Sequence, residues 1–154
     1  MKKIKIAGLV LAGIFIVIQF FRPELNNGGL GENNILTKEQ LPEAIGAMLK
    51  HSCFDCHSNQ TNYPWYDRIA PASWMVAQHI KEGKKQLNLS DWGSKDVIDK
   101  VTILGGIRDE VKSGSMPLPA YTLIHRDAKL SKDQVNEMIL WTDKFGEELL
   151  AKEE

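Results

Sequence analysis

Apolar residues fall along the chain in two patterns, one continuous run and then a series of stripes at helical spacing. Residues 6 to 21 (IAGLVLAGIFIVIQFF) are apolar apart from small residues and Gln19. Residues 22 to 36 (RPELNNGGLGENNIL) carry three glycines and four asparagines with little to bury, which predicts a flexible tether. Beyond it, apolar positions recur every three or four residues, the period of a half-buried helix. Pro42 suits the first turn of a helix whose apolar face is Ile45, Met48 and Leu49. Pro71 can open a second, striped by Val76, Ala77, Ile80 and Leu87. Ser94 suits the N-cap of a third, with Val97, Val101, Leu104 and Val111 recurring and Gly105 and Gly106 interrupting. Those two glycines mark either close approach to a flat ligand or a weak helix. Ser131 and Gln134 have capping-box spacing ahead of a last helix that would bury Val135, Met138, Ile139, Thr142, Phe145 and Leu149. No stretch sustains the period-2 alternation of a strand, so the expected fold is all-α. The expected division is an N-terminal segment over 1–21, a linker over 22–36 and one helical domain over 37–154.

Charge sharpens the reading of the two ends. Lys2, Lys3 and Lys5 precede the apolar run, the signature of a targeting segment. Phe20, Phe21, Arg22 and Pro23 offer no small-x-small cleavage pattern, which favours a retained transmembrane anchor over a cleaved signal. Ile14 stands where a lipoprotein would need its cysteine, so no lipid anchor is expected. Ile4 to Phe21 as helix would reach about 27 Å, marginal for a bilayer core. Three lysines against Arg22 would leave the N-terminus in the cytoplasm and the domain outside. Residues 36 to 154 carry 15 basic against 18 acidic side chains. A mildly acidic domain argues against nucleic acid, whose phosphates demand a basic surface.

The chemistry lies in Cys53-Phe54-Asp55-Cys56-His57, the only place where the chain's two cysteines occur. Cysteines at i and i+3 lie one helical turn apart on one side, so each sulfur can add to one vinyl group of a haem. The adjacent His57 can then turn its imidazole to the iron, fixing the macrocycle at three points. Other uses of two cysteines fit less well. A thioredoxin-like centre needs a strand-to-helix junction that an all-α domain lacks. A zinc site needs four ligands, and only His51, His79 and His125 remain, with no second cysteine pair. A disulfide over so short a loop would constrain the unfolded chain little. Export agrees with haem c, which is attached outside the cytoplasmic membrane.

Four residues compete for the second axial position: Met116, His51, His79 and His125. His51 lies on the helix leading into Cys53 and reads as a surface residue. Met116 sits in Gly114-Ser115-Met116-Pro117-Leu118-Pro119, a stiff non-helical loop able to hold a thioether against iron. It is the expected ligand, with His79 and His125 as alternatives. Of Trp65, Trp74, Trp92 and Trp141, some are expected to touch the ring. Met48, Met75 and Met138 read as core.

The sequence Cys53-Phe54-Asp55-Cys56-His57-Ser58-Asn59, then Tyr63-Pro64-Trp65-Tyr66, then Gly114-Ser115-Met116-Pro117-Leu118 and Tyr121-Thr122-Leu123-Ile124-His125, resembles the bacterial haem-binding domain family of cytochrome-c-like proteins. The likeness runs over roughly residues 36 to 150. It implies a helical cytochrome-c-like domain, often behind an N-terminal membrane segment, with one haem attached at Cys53 and Cys56 and ligated by His57. The Met116 loop also resembles the methionine loop of class I cytochromes c, although 58 residues separate it from His57. The expected function is one-electron transfer to redox partner proteins from a membrane-anchored domain in the periplasm, without bond chemistry on a substrate. The alternative is a haem-based sensor whose iron is open to a gas. A dihaem peroxidase would need a second attachment motif.

Overall fold

The computed structural model describes residues 2–153, and among them the chain is all-helical, with one isolated bridge, Asn27 to Gln60, and no strand. Eight α-helices follow in chain order: α1 Lys2–Ile18, α2 Ile35–Lys38, α3 Glu43–Ser52, α4 Phe54–His57, α5 Ala72–Gln86, α6 Val97–Ser113, α7 Pro119–Ile124 and α8 Lys132–Ala151. Short 3₁₀ turns at Trp65–Arg68, Leu89–Ser94 and Arg126–Ala128 join them. Helix boundaries follow local chemistry. Pro42 and Pro71 each occupy the position just before a helix, one residue earlier than a first-turn proline. Asp96, not Ser94, caps α6, its carboxylate accepting from the Asp99 N–H, while the Ser94 hydroxyl donates to the Asp91 carbonyl. Gly114 at φ 73° ends that helix, a left-handed conformation that glycine adopts without steric cost. Ser131 and Gln134 form the full capping box of α8.

The core is the meeting of α3, α6 and α8. Ile45, Met48 and Leu49 face Leu104, Ile107 and Val111 and, from α8, Met138, Phe145 and Leu149. Thr142 is buried on that face and Val135 and Ile139 are half-buried, so the expected stripe is the packed one. Trp92 is fully buried and stacks on Phe145, and its indole N–H donates to Glu39 at 2.7 Å, so no donor is left unpaired. Met48 and Met138 are core, but Met75 is 61% exposed because it points off the outer side of α5.

Two expectations about the N-terminal third are corrected. α1 ends at Ile18 rather than Phe21, because the Gln19 amide turns away to bond the Ala70 backbone in both directions, at 3.1 and 2.9 Å. Its 17 residues include three lysines, and among the described residues no helix is long and apolar enough to cross a membrane. At 1.5 Å per residue α1 reaches about 26 Å against a core of about 30 Å. Nor are residues 22–36 a free tether. Asn26 donates its side-chain amide to Ser58 O and Thr61 Oγ1 and its backbone N–H to the Tyr63 hydroxyl, and it accepts from Lys84 Nζ and the Thr61 N–H. Gly28 bonds Asn59, Asn33 accepts from Gly93, and Ile35 is fully buried. Low apolar content suggested flexibility, but asparagine amides satisfy backbone groups without needing burial of apolar area.

Candidate cofactor site

A cavity of about 690 Å³ opens between α4, α5, α6 and the loop after α6, within the size range of small-molecule and cofactor sites. Cys53, Cys56, His57, His79 and Met116 all line it. His51 is exposed and lies outside it. His125 is outside too, held by Tyr66, whose hydroxyl is 2.8 Å from Nε2, and stacked on Tyr121 at 4.1 Å. None of the four tryptophans lines the cavity. Trp92 is absorbed by the core, Trp141 stacks on Phe145, and Trp65 and Trp74 face outward. The aromatic wall is Tyr121 instead; the rest is mainly aliphatic, including Leu49, Leu89, Ile103, Ile107 and Leu118.

The Cys53–His57 segment is held from three sides. Cys53 breaks the backbone between α3 and α4, with its N–H still bonded to Leu49 O, so the two sulfurs and His57 ride on one rigid corner. α5 packs directly on it: a Cβ at Gly83 would stand 2.7 Å from the Cys56 carbonyl oxygen, closer than atoms allow. Asp55, which also lines the cavity, ties this corner to its neighbours. Its Oδ1 accepts from both amide groups of Asn62 and its Oδ2 from the Tyr121 hydroxyl at 2.7 Å. Burial, then the hydrogen bond to Asp55 and its charge, pushes the Tyr121 phenol well above its usual range. Asp67, buried beside this network, is also pushed up by burial, with His125 acting against the shift.

His57 is oriented by its own fold. Nδ1 lies 3.1 Å from the Leu87 carbonyl, which accepts its proton and leaves Nε2 as the free lone pair. Burial lowers the imidazole pKa, favouring the neutral ring a metal requires. The cysteines are free thiols, pushed up to about 12 at Cys53 and about 11 at Cys56, mainly by burial. They therefore stand as thiols. Met116 is positioned by a longer route: its N–H donates to Glu110 O in the last turns of α6.

The residues present fit a haem. Gly106 lines the cavity, and a Cβ there would meet nothing within 4 Å, so α6 offers a bare backbone where a flat ligand can lie. Its partner Gly105 does not reach the cavity. Two sulfurs one turn apart, an oriented imidazole and a thioether share that space. A family model described as haem-binding domain matches residues 13–144. The chain belongs to the haem-binding domain family. No curated protein and no solved structure matches it. In this haem-binding domain the residues that sequence reasoning undervalued are Asp55 and Gly83. Asp55 occupies a variable position of the motif, and Gly83 reads as an unremarkable helix glycine. Neither role leaves a periodic signal, because each depends on a neighbour brought close by tertiary folding.

Proposed function

We propose that the protein carries one haem c and transfers single electrons, with Cys53 and Cys56 as the residues that would bind the haem vinyl groups and His57 and Met116 as those that would hold its iron. The observation that carries this reading is the convergence on one cavity of two thiols, a neutral oriented imidazole and a loop-held thioether. Bound iron would supply a centre that gains and loses one electron. Cys53 and Cys56 would hold the group by adding their S–H across its vinyl double bonds, with the thiol hydrogen going to the other vinyl carbon, so that no oxidant would be required. His57 keeps its Nδ1 proton on Leu87 O and presents Nε2. Leu49, Leu89, Ile103 and Ile107 exclude water, which limits solvent rearrangement when the charge changes. The lysines followed by an apolar run at the N-terminus support a site of action on the periplasmic side, where partner redox proteins would be met.

Protein matured with haem c machinery tests the reading directly. Haem should survive acid-acetone extraction, and the unmutated protein should bind carbon monoxide poorly. Met116→Ala should open the iron to carbon monoxide with the haem still attached, and Met116→His should lower the potential. If His79→Ala changes the spectrum and Met116→Ala does not, the sixth ligand is His79, which lines the same cavity. Ready carbon monoxide binding by the unmutated protein would favour a sensor.

A further inference from the structure

Beyond Lys5, α1 carries only apolar and small residues on every face, and each of its large apolar residues from Ile4 to Val17 is at least 50% exposed. A helix apolar all round is matched by a medium that covers all sides at once, whereas a protein partner covers a stripe. The apolar surface does not stop where the helix stops. Phe20 and Phe21 are 82% and 68% exposed, and across the bonds that join them to the α5 side stand Ile69, just before α5, and Trp74 and Met75 in its first turn, all exposed. The two groups are joined by direct bonds: Gln19 to both backbone groups of Ala70, and the Trp74 indole N–H to Phe21 O at 2.6 Å. Arg22, whose Nε bonds Gln19 O, and Arg68 are the exposed cations of this rim.

We propose that the collar of Phe20, Phe21, Ile69, Trp74 and Met75 is a lipid-contacting surface that seats the folded domain against a bilayer in one fixed attitude. Aromatic rings with flanking arginines are the composition of a membrane interface, where the guanidinium reaches anionic headgroups and the stem lies along the acyl boundary. Trp74 already has its only donor paired with Phe21 O, so its ring enters an apolar medium without leaving a hydrogen bond unmade. The Gln19 pair and the Asn26 bonds make the joint stiff, so lipid contact by α1 brings the collar down with it. This surface involves neither cysteine nor axial ligand, so it stands or falls apart from the haem reading.

The test uses the full holoprotein in nanodiscs of three parts phosphatidylcholine to one of phosphatidylglycerol. Met75→Cys and, as a control on α7, Leu123→Cys each introduce one reactive thiol. Their labelling rates with a membrane-impermeant maleimide are compared, each relative to its urea-unfolded form. The thiol introduced at position 75 should label about ten-fold more slowly than that at position 123. Replacing all phosphatidylglycerol by phosphatidylcholine should narrow that gap. Equal rates at the two positions, or failure of the chain to remain with the nanodiscs, would overturn the proposal. So would rapid disulfide cross-linking of Met75→Cys chains to one another, which would give the collar to a second copy.

Discussion

The two sides of the cavity are built in different ways. The wall that carries Cys53, Cys56 and His57 is local and tight: four consecutive helical residues, α5 packed against the Cys56 backbone, and Leu87 O on the imidazole. The side that carries Met116 is held from afar. Its backbone hangs from Glu110 by one bond, and α7 beyond it is tied down through Tyr121 to Asp55 and through His125 to Tyr66. Leu123 and Ile124 on α7 are exposed. A site of this kind holds the Cys53–His57 side firmly and leaves the Met116 side to long-range contacts, so changes on the two sides should have separable consequences.

Thiol protection should give the largest effect. In haem-free protein, a thiol pKa of about 12 at Cys53 and about 11 at Cys56, against an ordinary 9.0, cuts the thiolate fraction at pH 8 by about 1,000-fold and 100-fold. Iodoacetamide should therefore modify both slowly, and Cys56 first as the pH rises. The same shifts set a stability window. The folded chain holds these protons more tightly than the unfolded one, so this contribution is intact below about pH 9 and is lost as the pH climbs through the folded values. Labelling of the folded chain as fast as in urea would mean the wall is open.

Gly83→Ala comes next. The new methyl group would meet the Cys56 carbonyl oxygen at 2.7 Å, and backbone cannot swing aside as a long side chain can. A loss of about 3 kcal/mol in urea unfolding is expected, despite alanine's better helix propensity. Tyr121→Phe should cost less, about 2 kcal/mol for a hydrogen bond to a carboxylate. Its particular mark should be on the loop side. Covalent haem should remain while carbon monoxide gains access, because α7 is released and the attachment wall is not. An unchanged carbon monoxide response would show that the Asp55 bond does not support the Met116 loop.

The same division explains what could be read from sequence. The capping box at Ser131 and the α8 stripe depend on residues within one or two helical turns, and the structure places them as expected. Periodicity reports only such near neighbours. The Asn26 clasp spans more than thirty residues to Ser58 and Thr61, and the Gln19 to Ala70 pair spans 51, so composition read the first as a tether and the second as helix. The tryptophans mislead for a related reason. Size predicts that an aromatic ring is worth burying, but not which of two apolar interiors receives it, and Trp92 went to the α8 side because Glu39 was there to accept its N–H.

The smallest expected effect comes from Gly106→Ala, and it is opposite in sign to Gly83→Ala. Both glycines line the cavity on helices, but a Cβ at Gly106 has nothing within 4 Å while one at Gly83 strikes the Cys56 backbone. Without haem, alanine at 106 should stabilise the chain by about 1 kcal/mol, the ordinary helical preference over glycine. With haem the sign should reverse, because the open space beside the α6 backbone is where a flat ring would lie, and a methyl group there removes part of that contact. Urea unfolding of the haem-free and haem-loaded forms separates the two effects. If Gly106→Ala stabilises both forms equally, the bare backbone at 106 is only a weak point in α6, and the ligand plane lies elsewhere in the cavity.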